Sequence, residues 1–374
     1  MNEGLNIYTV MPGPGKWRAK NQLPGAVSTV AYSLIKVSRF KHYVIGDESD
    51  IPQEGAEYIP VKKRILGFLV GKKKYYIASC KKILSKMQPG VVEVHNRALY
   101  FLYLCEKLPQ HKHCLYIHND PQKMRGLITP EDRQKVVDNA AAIYVVSEYI
   151  KSRYLEGVID NQRKVHVIYN AIEFKTHEDA ESILPDDLKN KKLIVFAGRM
   201  IRHKGGLELA KALIQVLPGY PDWVVVYIGA RYFGGAEPTT KYEENVYECL
   251  QKLGSQARYM NSLPREDVLK FFYCAEIAVI PSIWDEPFGL TALEAMSVHT
   301  AVISSNRGGL AEVVSDKGVV VNPEDTEMLS QAIEGLISND ELRESLKKKA
   351  YDHVLANFNI EAIGVKIDNI REEI

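Results

Sequence analysis

Short apolar runs alternate with segments of helical period along most of the chain. In the first half the runs are LNIYTVM (5–11), HYVIG (42–46), VVEV (91–94), CLYIH (114–118), AAIYVVS (141–147) and KVHVIYN (164–170). Between them GAVSTVAYSLIKV, a lysine-rich segment and PEDRQKVVDNA carry helical patterns. A polar stretch, EFKTHEDAESILPDDLKNKK (173–192), breaks the rhythm, which restarts with LIVFAG (193–198), WVVVYIGA (223–230), ARYMN (257–261), IAVIPS (277–282) and TAVISS (300–305). Strand–helix alternation predicts mainly parallel sheets covered on both faces. The pattern therefore predicts two doubly wound α/β domains with a cleft between them, over 1–175 and 190–357. The last segment, 358–374, reads as an amphipathic helix that packs back on the first domain. Ligands of such sheets sit at the carboxyl ends of strands.

Composition narrows this little. A chain of 374 residues with 46% apolar and 25% charged residues is globular and long enough for two cores. Its start lacks a basic region followed by an apolar core, and no apolar run reaches the roughly 20 residues of a membrane span. Five scattered cysteines without a CxxC favour reduced thiols and a cytoplasmic setting.

Charge changes the picture more. Residues 1–180 hold 27 Lys and Arg against 18 Asp and Glu, while the remainder holds 21 against 29. The segment KKRILGFLVGKKKYYIASCKKILSKM (62–87), which includes Lys62, Lys63, Arg64, Lys72, Lys73 and Lys74, is the centre of the basic half. It reads as a solvated helix face, as an attachment to an anionic membrane surface, or as the capture site of a phosphorylated acceptor. No nucleic-acid-binding motif is present, so nucleic acid is not expected as a partner.

The candidate chemistry lies where strands run into helices. LIVFAG runs into GRMIRHKGG (198–206): Gly198 ends the strand, and Arg199 and Lys204 bring two cations to the loop. IAVIPS is followed by EPFGLTALE (286–294), in which Glu286 precedes a helix starting near Gly289 and Glu294 lies one helical turn in. A helix start offers unpaired N–H groups that attract phosphate. The amides of Gly289, Leu290 and Thr291 and the two cations could thus hold a diphosphate without a metal. Glu286 would repel phosphate, so it suits the acceptance of hydroxyl hydrogen bonds, and a sugar nucleotide combines both groups. Neither GxGxxG nor a P-loop is present, which disfavours a dehydrogenase or an NTPase. In the first half, HNDP (118–121) and HNR (95–97) follow strands, and they make His118, Asn119, Asp120, His95 and Arg97 candidates. HKH (111–113) is short of ligands for a metal site.

AGRMIRHKGG, YCAEIAVIPSIWDEPFGLTALEAMS, SSNRGGLAEVV and the spacing of strands and helices resemble the retaining glycosyltransferases of family 4, most strongly over about 193–325. The resemblance extends more loosely to the first domain and to enzymes of lipopolysaccharide core and other surface polysaccharides, N-acetylglucosaminyltransferases among them. It implies the GT-B fold, two Rossmann-like domains facing each other across a cleft, and transfer of a sugar from a nucleotide sugar, a UDP-sugar by expectation and UDP-GlcNAc among the candidates, to a glycan or glycolipid. On this resemblance Glu286 accepts from donor-sugar hydroxyls and Glu294 from the ribose. Arg199, Lys204 and the amides of Gly289 to Thr291 bind the diphosphate. Gly198, Phe288 and the main chain of Tyr259 and Met260 complete the donor site, with Gly25 on the first-domain loop. His118 meets the donor sugar near its reactive end, and His95, Arg97, Asn119 and Asp120 are candidate acceptor contacts. The phosphate site of cations and amides calls for no cofactor or metal, the scattered thiols for a cytoplasmic enzyme, and the basic segment for a peripheral place on the inner face of the membrane. A nucleotide-sugar epimerase on the same architecture is the alternative.

Overall fold

A computed structural model describes residues 4–12, 26–48, 54–62, 71–174, 179–230 and 240–374. Gly25, Lys63, Arg64 and most of the glycine-rich loop that begins at Met11 lie outside the described residues. The chain divides into two compact units, one made of 1–171 with 360–374 and the other of 172–359.

The first unit is built on seven parallel strands: β1 (Asn6–Val10), β2 (Lys41–Asp47), β3 (Glu57–Val61), β4 (Val91–His95), β5 (Lys112–Ile117), β6 (Ala142–Val145) and β7 (Val165–Val167). Their order is β3-β2-β1-β4-β5-β6-β7, so the winding reverses between β1 and β4, which pair Ile7 with Val91 through Val10 with Val94. Beta-branched and aromatic residues predominate in β4 and β6, and every residue of both is buried, as a strand covered on both faces requires. The helices between the strands are α1 (Ala26–Val37), α2 (Lys72–Leu84), α3 (Ala98–Lys107), α4 (Pro130–Asn139) and α5 (Glu148–Leu155). Ser147 caps α5 by accepting from the Ile150 N–H at 3.1 Å.

The C-terminal helix Ile360–Glu373 belongs to this unit and packs on α1. Gly364 permits the approach, since a Cβ there would stand 2.5 Å from Val37 Cγ2. The buried Arg371 grips the equally buried Glu93 of β4 with two hydrogen bonds of 2.8 Å. Arg371 also reaches Asp368 at 2.8 Å, and Asp368 accepts from Ser38 Oγ at 2.9 Å and Arg39 N at 2.8 Å. Burial alone would raise the Glu93 carboxyl, but the Arg371 guanidinium holds it below the usual carboxylate range.

The second unit holds six parallel strands: β8 (Lys192–Ala197), β9 (Trp223–Ile228), β10 (Ala257–Met260), β11 (Ile277–Ile280), β12 (Ala301–Ser305) and β13 (Val319–Val321). Their order, β10-β9-β8-β11-β12-β13, puts the reversal between β8 and β11. Its helices are α6 (Gly206–Val216), α7 (Lys241–Gln251), α8 (Arg265–Tyr273), α9 (Leu290–Met296), α10 (Leu310–Val314), α11 (Thr326–Ser338) and α12 (Asp340–Asn357). Its core gathers Phe196, Leu213, Val225, Ile277, Leu329 and Ile333 from the sheet, α6 and α11.

The two doubly wound parallel sheets that the alternation of runs predicts are present. Strands β3 and β13 are additions to that pattern.

Candidate active site

In the second unit the loops after β8 and β11 meet at the reversal of strand order, where open α/β sheets hold ligands. Gly205 makes the meeting close: its φ is 70°, and a Cβ there would stand 1.8 Å from the Pro281 carbonyl oxygen. Ile283 N–H donates to the His203 carbonyl at 3.0 Å, tying the loops together. Lys204, on the first loop, places Nζ 2.5 Å from Oε1 of Glu286, on the second. The same oxygen accepts from Ser282 Oγ at 2.7 Å, and Ser305 Oγ donates to the Ser282 carbonyl at 2.6 Å. Glu286 is thus a buried carboxylate in a built cradle. An ammonium has three donors, so Lys204 can hold Glu286 and still offer hydrogens to an anion.

The main chain of 286–289 is fixed from below by Gly308 and Gly309. Gly309 N–H donates to the Glu286 carbonyl at 2.7 Å, and a Cβ at Gly308 would stand 2.4 Å from that oxygen. Gly289 has φ 117° and precedes α9. The helical ladder begins with Ala292 and Leu293 N–H donating to the Gly289 carbonyl, which leaves the amides of Leu290 and Thr291 ahead of it. The expected helix start near Gly289 is therefore present. Glu294, one turn in, receives Arg265 Nε from α8 at 2.5 Å. Gly198 closes β8, with its N–H on the Ile228 carbonyl at 3.0 Å, and Arg199 beside it is exposed.

Two expected donor contacts are limited by their packing. Phe288 is buried, its ring edge-on to Phe358 at 5.7 Å, so the side chain serves the core. The Met260 carbonyl is taken by Gly229 N–H at 3.0 Å. Residue alternation then turns the main chain of Tyr259 toward the open side of β10, the edge strand of its sheet. The Tyr259 hydroxyl donates to the Gly229 carbonyl at 2.9 Å.

In the first unit His95 ends β4, and His118 directly follows β5, the neighbouring strand. Both rings are buried, and His95 Nδ1 lies 2.9 Å from His118 Nε2. Burial pushes His95 down to about 4 and His118 well below its ordinary value. Asn96 (φ 54°) accepts the His118 backbone N–H on Oδ1 at 2.8 Å. Arg97 donates from Nε to the Pro12 carbonyl at 3.0 Å. Asp120 is buried and committed: it caps the turn at Pro121 by accepting from Gln122 N–H at 3.1 Å and pairs with Arg153 at 3.4 Å. Asn119 is exposed. The HKH rings take main-chain carbonyls, His111 that of Leu84 at 3.1 Å and His113 that of Leu108 at 2.9 Å. Among the described residues no three His, Cys, Asp or Glu gather as metal ligands.

Sequence reasoning missed Ser282, Arg265, Glu93 and Arg371. Ser282 ends the run IAVIPS, and its place at a strand carboxyl end was a usable signal. Arg265 lies 29 residues from Glu294, and nothing in the local pattern pairs them.

Residues 181–353 match the family model described as Glycosyl transferases group 1. Spore coat protein SA of Bacillus subtilis (strain 168) is 25% identical over 305 residues, covering 78% of this chain and 80% of that protein. The lipopolysaccharide 1,2-N-acetylglucosaminetransferase of Salmonella typhimurium is 22% identical over 293 residues, covering 76% and 73%. Anabaena HepE, solved in complex with UDP-glucose, superposes with a TM-score of 0.77 at 16% identity over 99% of this chain and 100% of that one. Residues 181–353 therefore form a glycosyl transferases group 1 domain, and the chain, with its two Rossmann-like sheets, is a glycosyltransferase of GT-B fold.

Proposed function

We propose that this glycosyltransferase moves a sugar, with retention, from a UDP-sugar to a hydroxyl of a glycan or glycolipid in surface-polysaccharide synthesis. The observation that carries the reading is the Lys204–Glu286 pair at the β8/β11 reversal, beside the start of α9. It sets a cation for a diphosphate next to a carboxylate for sugar hydroxyls. In the reaction the bond from the anomeric carbon to the diphosphate oxygen breaks, and a bond to the acceptor oxygen forms on the same face. The acceptor proton leaves with the diphosphate. Arg199, Lys204 and the amides of Gly289 to Thr291 stabilise the negative charge that develops on the leaving group, without a metal. Glu286 orients the sugar and Glu294 the ribose, from which Arg265 must then shift or share. His118 is the group the first unit offers to the donor sugar. A UDP-sugar is favoured because HepE was solved with UDP-glucose, and UDP-N-acetylglucosamine is the first donor to try because the Salmonella relative is named for that sugar.

UDP should raise the melting temperature equally with and without EDTA, and a sugar released from the donor should appear on an acceptor glycan. Stabilisation that vanishes in EDTA would overturn the metal-free diphosphate site. Interconversion of the donor without any acceptor would replace transfer with epimerisation.

Among the described residues no helix is long and apolar enough to cross a membrane. The exposed Lys72, Lys73 and Lys74 open α2, and in this reading they hold the cytoplasmic enzyme to an anionic membrane face. Sedimentation with anionic liposomes should show binding at low salt that fades as salt screens the charges. Protein left in the supernatant at low salt would remove the membrane contact.

A further inference from the structure

His118 does not stand alone at the end of β5. The ring of His95 meets it at an angle of 16° with centroids 5.2 Å apart. That separation is about the 2.9 Å nitrogen–nitrogen distance plus two ring radii, so the hydrogen bond runs within the ring planes. Tyr116 lies nearly parallel to both, 4.4 Å from His118 and 5.1 Å from His95. The position of the paired rings is therefore limited in plane and out of plane.

Such a bond between two neutral imidazoles needs a hydrogen on one nitrogen and a lone pair on the other. Burial keeps both rings neutral at physiological pH. If His95 donates from Nδ1, His118 accepts at Nε2 and carries its own hydrogen on Nδ1. If His118 donates from Nε2, its Nδ1 is a bare acceptor. In both cases Nδ1 is the ring nitrogen of His118 left for a ligand, and whether it donates or accepts is decided at His95. His95 in turn lines a cavity of about 10 Å³ with Thr9, Glu93, Tyr116 and Arg371, which sets the ion pair of the C-terminal helix beside it. Glu93 and His95 are two residues apart on β4 and share one face of it.

We propose that His95 is a positioning residue, which through its Nδ1 holds Nε2 of His118 and so fixes the plane of that ring and the tautomer it presents to the donor sugar. The sugar contact rests on the function proposed above, while the bond and its tautomer do not.

The test uses the full chain labelled with 15N-histidine, with the His118 ring signals identified by their loss in His118→Asn. In the parent, His118 should show one protonated and one bare ring nitrogen from pH 8 to pH 5. His95→Phe keeps a ring against Tyr116 but breaks the bond; the His118 nitrogens should then average, and kcat should fall about 10-fold, the equivalent of one hydrogen bond. UDP affinity should stay within about 2-fold, because the proposed nucleotide contacts lie in the second unit. His95→Asn, whose amide nitrogen can take the place of Nδ1, should restore a single tautomer and most of kcat. A single tautomer and parental kcat in His95→Phe would overturn the proposal. So would averaged nitrogens in the parent. Where His95→Phe does not fold, His95→Asn decides alone: a single tautomer supports the assignment and averaging refutes it. A parent without transferase activity would sink the proposed function, and the ring signals would still decide the bond.

Discussion

Glu286 is the residue at which the chemistry is most exposed to test. It is buried, and one of its oxygens receives both Lys204 and Ser282. Glu286→Gln preserves the shape and removes the charge, so a sugar hydroxyl loses a charge-assisted bond worth about 1.5–3 kcal/mol. Transfer should fall roughly 10- to 100-fold where that bond is completed in the transition state. UDP, which has no donor sugar, should bind nearly as before, and a kinetic assay beside a UDP titration separates the two effects. Parental turnover in this variant would remove Glu286 from the mechanism. The sequence displayed Glu286 by its spacing from Glu294 and its place before a helix. It could not display the partners, since Lys204 is 82 residues away and pairs with it only because two loops of one sheet end side by side. His95 and His118 were likewise readable one at a time, as histidines after strands, and unreadable as a bonded pair.

At the scale of elements, the apolar runs located β1, β2 and β4 to β12 within a few residues, because strands buried in a parallel sheet are mostly apolar. Strand β3 (EYIPV) escaped because it lies at a sheet edge, is only partly buried and contains Pro60. Strand β13 is three residues long and half exposed, too short to carry a pattern. What no run of residues announced is how nearly the loops touch. Gly205 shows this: its left-handed φ of 70° and the 1.8 Å that would separate its Cβ from the Pro281 oxygen exclude any larger residue. Gly205→Ala should cost roughly 2–5 kcal/mol, from left-handed strain together with overpacking. It should also weaken UDP binding by moving the adjacent Lys204 away from the diphosphate. A urea midpoint and a UDP affinity both equal to the parent's would show that the loops need no such approach.

At the scale of the molecule, the chain returns to its first unit at the end, and one ion pair bears on that return. Arg371 and Glu93 are 278 positions apart, each with a side-chain exposure of 2%. In VVEV the acid stands among the valines of a strand that is buried throughout. In the fold it is the anchor of the C-terminal helix, and its partner was not predictable from the strand. Removing one member of such a pair leaves the other charge buried, at a cost of about 3–5 kcal/mol, whereas replacing both by apolar residues can be nearly neutral. Arg371→Met should therefore destabilise the protein by several kcal/mol, and Glu93→Leu added to it should recover much of the loss. Glu93 has a lowered folded pKa, so the stability it contributes is present above its unfolded value of 4.5 and is lost as pH falls through the lower folded value. That acid limb should disappear in the double variant. Hydrogen exchange gives the spatial reading: in Arg371→Met it should quicken in β4, α1 and the C-terminal helix and stay at the parental rate in β8 to β13. Exchange that quickens equally in both units, or in neither, would mean that this pair does not secure the first unit through its final helix.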